Sequence, residues 1–185
     1  MQARSVDGGV RVTFKISVRA DVKKTKRSLS RLQRTVLPAS INGALNKTAK
    51  KVQTKAIKLV SKEVGLPQKE IRAHFSIVKS NFTTLRAIVI SRRRAYSLYR
   101  FQARQTKDGV TANAWGQRKT YKHAFIVRNQ FVAIRKKGGG LKALHGPSIP
   151  VEHSKDPITR AQSLVVGVDF PLIFRRELTR RVARL

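Results

Sequence analysis

The segment from Thr35 to Val64, TVLPASINGALNKTAKKVQTKAIKLVSKEV, limits what this chain can fold into more than any other. It reads as one long amphipathic helix. Thr35 is placed to act as N-cap, Pro38 falls in the first turn where a missing N–H costs little, and Gly65 before Leu66 and Pro67 supplies the stop. Ile41, Leu45, Thr48, Val52, Ala56, Leu59 and Glu63 step by three or four residues, with Ala44, Ala49 and Val60 widening the apolar side. The opposite side carries Lys47, Lys50, Lys51, Lys55, Lys58 and Lys62. A helix this cationic repels itself, so it needs a core on one side and an anionic neighbour on the other.

The rest of the chain deepens that demand. Lys and Arg total 41 against 9 Asp and Glu, a formal charge of +32, and no acid occurs between Asp21 and Glu63, Glu70 and Asp108, or Asp108 and Glu152. The excess is spread over the whole length rather than confined to a tail, which points to a polyanionic partner: nucleic acid or an acidic protein surface. Zero cysteines exclude disulfides and Cys-based zinc sites. No apolar run reaches membrane-spanning length, and MQARSVDGG lacks a signal-peptide core, so no membrane partner is expected. The chain reads as a soluble protein or part of a particle assembled inside the cell.

In chain order, Val10, Val12, Phe14, Ile16 and Val18 alternate with cationic and polar residues, the pattern of a strand with one apolar face. Asp21 then looks like the N-cap of a short helix through about Arg34. After Pro67 a short helix in QKEIRAHF presents Ile71 and Phe75, and strands follow at Phe75–Val78 and Phe82–Ser91, the second apolar enough to be central. From 95 to 120 the pattern weakens around an Asp108-Gly109 turn and reads as a mobile or inserted loop. HAFIV and FVAIR, separated by Arg128–Gln130, form a β-hairpin, and KKGGGLKALHGPSIPVEH reads as an irregular connection. Helix-compatible residues around Ile158–Leu164 and a final amphipathic helix from about Pro171 to Leu185 close the chain. The expected fold class is α+β: a single domain over 1–185 in which one small, mostly antiparallel sheet packs against the long helix.

An enzyme would need a constellation of reactive groups. His74, His123, His145 and His153 show no metal-ligand spacing, and Glu152-His153 with Asp156 is the nearest approach to a cluster. The nine carboxylates are too scattered for a two-metal nuclease site, and Lys137-Gly138-Gly139-Gly140 lacks the order of a phosphate-cradling loop. The expectation is no enzyme, no metal and no cofactor. Tyr96, Tyr99 and Phe101 alternate with Arg100 and Arg104 as a stacking platform for single strands would, although such aromatics are better read as core or interface. What remains is sequence-independent phosphate contact. Arg92, Arg93, Arg94, Lys136 and Lys137 are the first candidates, and Lys47, Lys51, Lys58 and Lys62 the second.

The block LKALHGPSIP, Leu141 to Pro150, with the preceding Ala124-Phe125-Ile126, resembles the minor tail protein Z family of long-tailed bacteriophages and prophages. LSRLQRTVLPASINGALNKTA, Leu29 to Ala49, is similar to that family's N-terminal helical segment, and the likeness spans roughly residues 25 to 180. The resemblance implies a fold like that of phage head–tail joining and tail-completion proteins. It also implies a structural role in the connector region, completing the head-proximal end of the tail within a ring, often hexameric, around double-stranded DNA. The implied partners are further copies, other tail and connector proteins, and DNA contacted without base reading; the implied location is the virion tail, assembled in the host cytoplasm. Gly146, Pro147 and Pro150 would set a turn at a subunit or packing interface.

A compact chain of this length would line about 40 Å of channel, which offers roughly two dozen phosphates of duplex DNA. Six copies at +32 would carry about +192, so much of the basic surface should face acidic neighbouring proteins. The rival reading is a ribosomal or nucleoid-type nucleic-acid-binding protein, whose free monomer would bind tightly and with strong salt dependence.

Overall fold

The computed structural model describes residues 12–16, 32–92 and 95–183. The fold is α+β, with three separate three-stranded sheets where a single one was expected. The described chain forms β1 (Val12–Ile16), α1 (Leu32–Val64), α2 (Gln68–Arg72), β2 (Phe75–Val78) and β3 (Ala87–Ser91). A 3-10 turn at Leu98–Arg100 precedes β4 (Arg104–Thr106), β5 (Gly109–Ala114), β6 (Gln117–Lys122), β7 (Ala124–Val127), β8 (Phe131–Arg135) and β9 (Leu141–Leu144). Helices α3 (Ile149–His153) and α4 (Asp156–Val182) complete it. These elements cluster into two compact units. One holds Ile57–His74 and Ser91–Lys155; the other holds Thr13–Ala56, Phe75–Ile90 and Asp156–Leu185. The helix expected over 21–34 falls mostly outside the described residues, as do the ends of the strand expected over 10–18 and the arginines at 93 and 94.

Helix α1 starts three residues before Thr35, which is therefore not its N-cap, and Pro38 lies inside it. Leu32, Gln33 and Arg34 are strong helix formers, and the fixed φ of proline is itself helical, so the helix passes through Pro38 with the loss of one hydrogen bond. The buried stripe runs through Ile41, Leu45, Thr48, Val52, Ala56, Val60 and Val64, with Ile57 beside it. It leaves out Leu59, half-buried, and Glu63, exposed. Successive steps of four drift around the helix and bring Val64 into the core in place of a carboxylate whose burial would be costly. Gly65 ends the helix at φ 78° and returns its N–H to the Ser61 carbonyl at 3.0 Å. A Cβ there would lie 3.2 Å from the backbone nitrogen of Gly116, so the close approach as well as the positive φ requires glycine.

In the unit containing the first part of α1, the sheet order is β1-β3-β2 and β3 is central, as its apolar run predicts. It is shorter than the expected Phe82–Ser91. Asn81 Oδ1 accepts from the Thr83 and Thr84 N–H groups at 3.1 and 2.6 Å, Leu85 turns at φ 41°, and Phe82 stands 64% exposed. A local asparagine turn thus takes the backbone groups that a strand would need. Asn46 of α1 holds the Ser80 backbone from both sides, accepting its N–H at 2.8 Å and donating to its carbonyl at 3.2 Å. Helix α4 runs unbroken through Pro171, where two separate helical pieces were expected. Its pairing with α1 through Lys47–Glu177 and Lys51–Asp169 brackets the proline and holds the helix on both sides of it.

In the other unit, residues 95–120 form a turn and a three-stranded antiparallel meander where a loop was expected. Trp115 and Gly116, at φ 56° and 65°, make the two-residue turn between Ala114 and Gln117. Arg128 and Asn129, at φ 48° and 54°, make the turn of the β7–β8 hairpin at the position expected. LKAL, expected to be irregular, is strand β9 on the far side of β8. Side-chain amide bonds link the sheets: Gln105 Nε2 donates to the Ala124 carbonyl at 3.3 Å, and its Oε1 accepts from the Ile126 N–H at 3.0 Å.

Tyr96 and Phe101 are buried in this core, edge to face at 6.3 Å, with His74 edge-on to Tyr96 at 5.8 Å. They are core aromatics and not a stacking platform. The GPS segment lies along them: Gly146 N–H donates to the Tyr96 carbonyl at 2.8 Å, and Tyr96 N–H to that of Pro147 at 3.3 Å. A Cβ on Gly146 would sit 2.4 Å from Cε2 of the Phe101 ring. Gly146→Ala should therefore destabilise the protein by about 1–3 kcal/mol in urea unfolding. Phe101→Leu, which shortens the opposing ring, should recover part of that loss in the double variant, so that the two changes are non-additive.

A candidate polyanion-contact surface

The meander carries a cationic face assembled by strand register. Val110, Ala112 and Ala114 of β5 point to the core. The cross-strand partners on the opposite face are Arg104 with Thr111, Thr111 with Thr120, Asn113 with Arg118, and Gly109 with Lys122. Arg104, Arg118 and Lys122 are all exposed, Thr106 and Thr120 stand among them, and no carboxylate or large apolar side chain shares the face. Arg118 and Lys122 are about 14 Å apart along the strand, and Arg104 lies two strands, about 10 Å, across from Thr120. Each cation can thus meet a different phosphate. Lys122 also borders an open cavity of about 630 Å³ lined by Lys107, Asp108 and His123.

The candidates named from the sequence sit elsewhere. Arg92 is exposed at the end of β3, and Lys136 and Lys137 are exposed in the β8–β9 turn, where Lys136 N–H donates to the Gly140 carbonyl at 3.1 Å. Lys58 and Lys62 are exposed one turn apart on α1 and enter no ion pair among the described residues. Lys47 and Lys51 project outward but serve inside the fold. Lys47 Nζ lies 2.5 Å from Glu177 Oε1, and Lys51 pairs with Asp169. Glu177 is itself buried and also receives Arg180 at 2.7 Å and Arg181 at 3.5 Å. Gly43 leaves room for it, since a Cβ there would come 3.2 Å from Glu177 Oε2.

Arg118 and Lys122 were not legible as a site because β6 is an edge strand; Arg104, read with the aromatics before it, lies on β4. Polar residues occupy nearly all of both faces of β6, so the apolar alternation that marks a strand is missing. The available signal was the pair of turn dipeptides, Asp108-Gly109 and Trp115-Gly116, bounding a six-residue run.

The grouping nearest to chemistry is interior. Ser91 Oγ and His153 Nδ1 are 2.8 Å apart, and the two residues are 0% and 1% exposed, beyond reach of a substrate. Beside them Glu152 accepts the Trp115 indole N–H at 3.0 Å and lies 2.5 Å from Lys155 Nζ, which is 3.8 Å from Glu63. The hydrogen bond to Glu152 comes first among the causes that raise the Lys155 pKa. These contacts tie α3 to the hairpin tip and to the end of α1. Among the described residues no cluster of three or more His, Asp or Glu side chains could hold a metal, and no helix is long and apolar enough to cross a membrane.

The hydrogen bond from Lys47, opposed by burial and reinforced by Arg180, holds the Glu177 carboxyl below its ordinary value. Its contribution to stability is therefore complete above the ordinary glutamate range near pH 4.5 and is lost as pH falls through the depressed value. Glu177→Gln should cost about 1–3 kcal/mol at pH 7. The gap between variant and parent, followed by thermal unfolding from pH 7 to pH 3, should close on the acid side.

A family model for prophage minor tail protein Z (GPZ) matches residues 21–142, which include the whole meander. Searches of curated proteins and of solved structures return no significant match.

Proposed function

This chain belongs to the prophage minor tail protein Z family, and on that premise we propose that it completes the head-proximal end of the phage tail as one subunit of a ring around the DNA channel. Its role is structural rather than catalytic. It works in the virion tail, is assembled in the host cytoplasm, and has further copies of itself and other tail and connector proteins as neighbours. The observation that carries the DNA part of this reading is the carboxylate-free face of Arg104, Arg118 and Lys122. A protein-docking face needs apolar or aromatic anchors at its centre, and this one offers arginine, lysine and threonine, the groups that contact phosphate and sugar. Arg92, Lys58, Lys62, Lys136 and Lys137 add exposed cations apart from that face, and Arg93 and Arg94 belong with them by sequence. A hexamer is the ring size favoured by the family resemblance.

Two measurements test this. Particles produced without the protein should show tails that fail to join heads when viewed by electron microscopy; normal, infectious, head-joined tails would remove the tail-completion role. On the purified chain, Arg104→Glu with Arg118→Glu and Lys122→Glu should weaken binding to duplex DNA of any sequence. The slope of log affinity against log salt should fall by about 2 to 3, the release expected from three lost phosphate contacts. Lys47→Gln with Lys51→Gln should leave that slope nearly unchanged.

A further inference from the structure

Helix α4 has a second, outward side that stands exposed among the described residues. Ile158, Gln162 and Glu177 are its buried residues, whereas Leu164, Val168 and Leu172 are 69%, 63% and 54% exposed. Spaced by four, these three form a continuous aliphatic line about 12 Å long. Gly167 lies beside it with open space where a side chain would be, and a shallow groove of about 540 Å³ runs past Arg160, Leu164 and Val168. At 100° per residue, Arg175 continues the line, and Arg160 and Arg176 flank it on either side. Two of the helix's three acids are turned elsewhere, Asp169 and Glu177 facing Lys51 and Lys47 of α1, and the third, Asp156, is exposed at the helix start, two turns before Leu164.

The geometry points to an acidic amphipathic helix of a neighbouring protein as the occupant of this stripe. Aliphatic residues at i, i+4 and i+8 receive the matching apolar side of another helix, with the vacancy at Gly167 taking one of its side chains. Arginines on both flanks select carboxylates at the rim. A second copy is disfavoured by the same charges. A two-fold pairing centred on Val168 sets Arg160 of each copy against Arg176 of the other, and a parallel pairing sets Arg175 against itself. The chain's own segment 21–34, with six cations and one acid, is repelled in the same way. The inference rests on the tail-protein reading only for the source of the partner; α4 lies outside the residues that the family model matches.

The test uses the purified full-length chain and three synthetic peptides. One is an amphipathic helix with leucine at i, i+4 and i+8 and glutamate on the flanks, one is its glutamate-to-lysine counterpart, and one is the 21–34 segment. Fluorescence anisotropy should show saturable binding of the acidic peptide alone. Leu164→Glu and Val168→Glu, each at an exposed position where folding is little affected, should weaken it by about 30-fold or more. Their affinity for duplex DNA should be unchanged. Binding of the acidic peptide that is equal for the parent and Val168→Glu would reduce the effect to general attraction to a +32 chain and overturn the inference. So would tighter binding of the 21–34 peptide, or a dimer of the parent chain that Val168→Glu dissolves. Head-joining by particles lacking the protein bears on the tail reading alone, so the two can fail separately.

Discussion

Like-charge repulsion is the constraint on which this structure depends. With 41 cations and nine carboxylates, each acid that can be placed between basic residues relieves repulsion that nothing else in the chain can. Glu177 shows how far this goes: one buried carboxylate gathers Lys47, Arg180 and Arg181 and fastens α4 to α1. Glu152 does comparable work by engaging Trp115 and Lys155, with Glu63 on the far side of that lysine. A surface ion pair contributes little on its own. Buried and shared among several cations, the same group sets which elements can come together.

Spending acids inside the fold leaves the outer surface more basic than the composition alone conveys. The meander face collects Arg104, Arg118 and Lys122 with threonines and no acid, a surface suited to wet, sequence-independent phosphate contact. The outward side of α4 pairs a dry aliphatic line with arginine flanks, a surface suited to protein. The two surfaces differ in whether apolar anchors are present.

Elements with an internal apolar period were legible from the sequence. The long helix, Phe75–Val78 and the β7–β8 hairpin with its Arg128-Asn129 turn fall where the pattern places them. Three places were not legible, each for a physical reason. Phe82–Arg86 looks like strand but yields to the hydrogen bonds of Asn81. Pro171 looks like a break but lies in a helix held to α1 on both sides. The meander looks like a loop because an edge strand can be polar on both faces and still pair through its backbone.

The sequence by itself determined the family, through the AFI block and the long helix before it, both within the matched residues 21–142, together with the α+β class; the GPSIP block lies beyond that match. Those properties are local or compositional, so no folding is required to read them. Only the tertiary structure decided which cations are committed and which face outward. Lys47 and Lys51, prominent in the sequence, are taken by carboxylates more than a hundred residues away. Arg118 and Lys122, unremarked in the sequence, are brought to one face with Arg104 by strand register. The ion pairs join residues distant in the chain, and the register rests on an edge strand without an apolar alternation, so neither shows in the local pattern of residues.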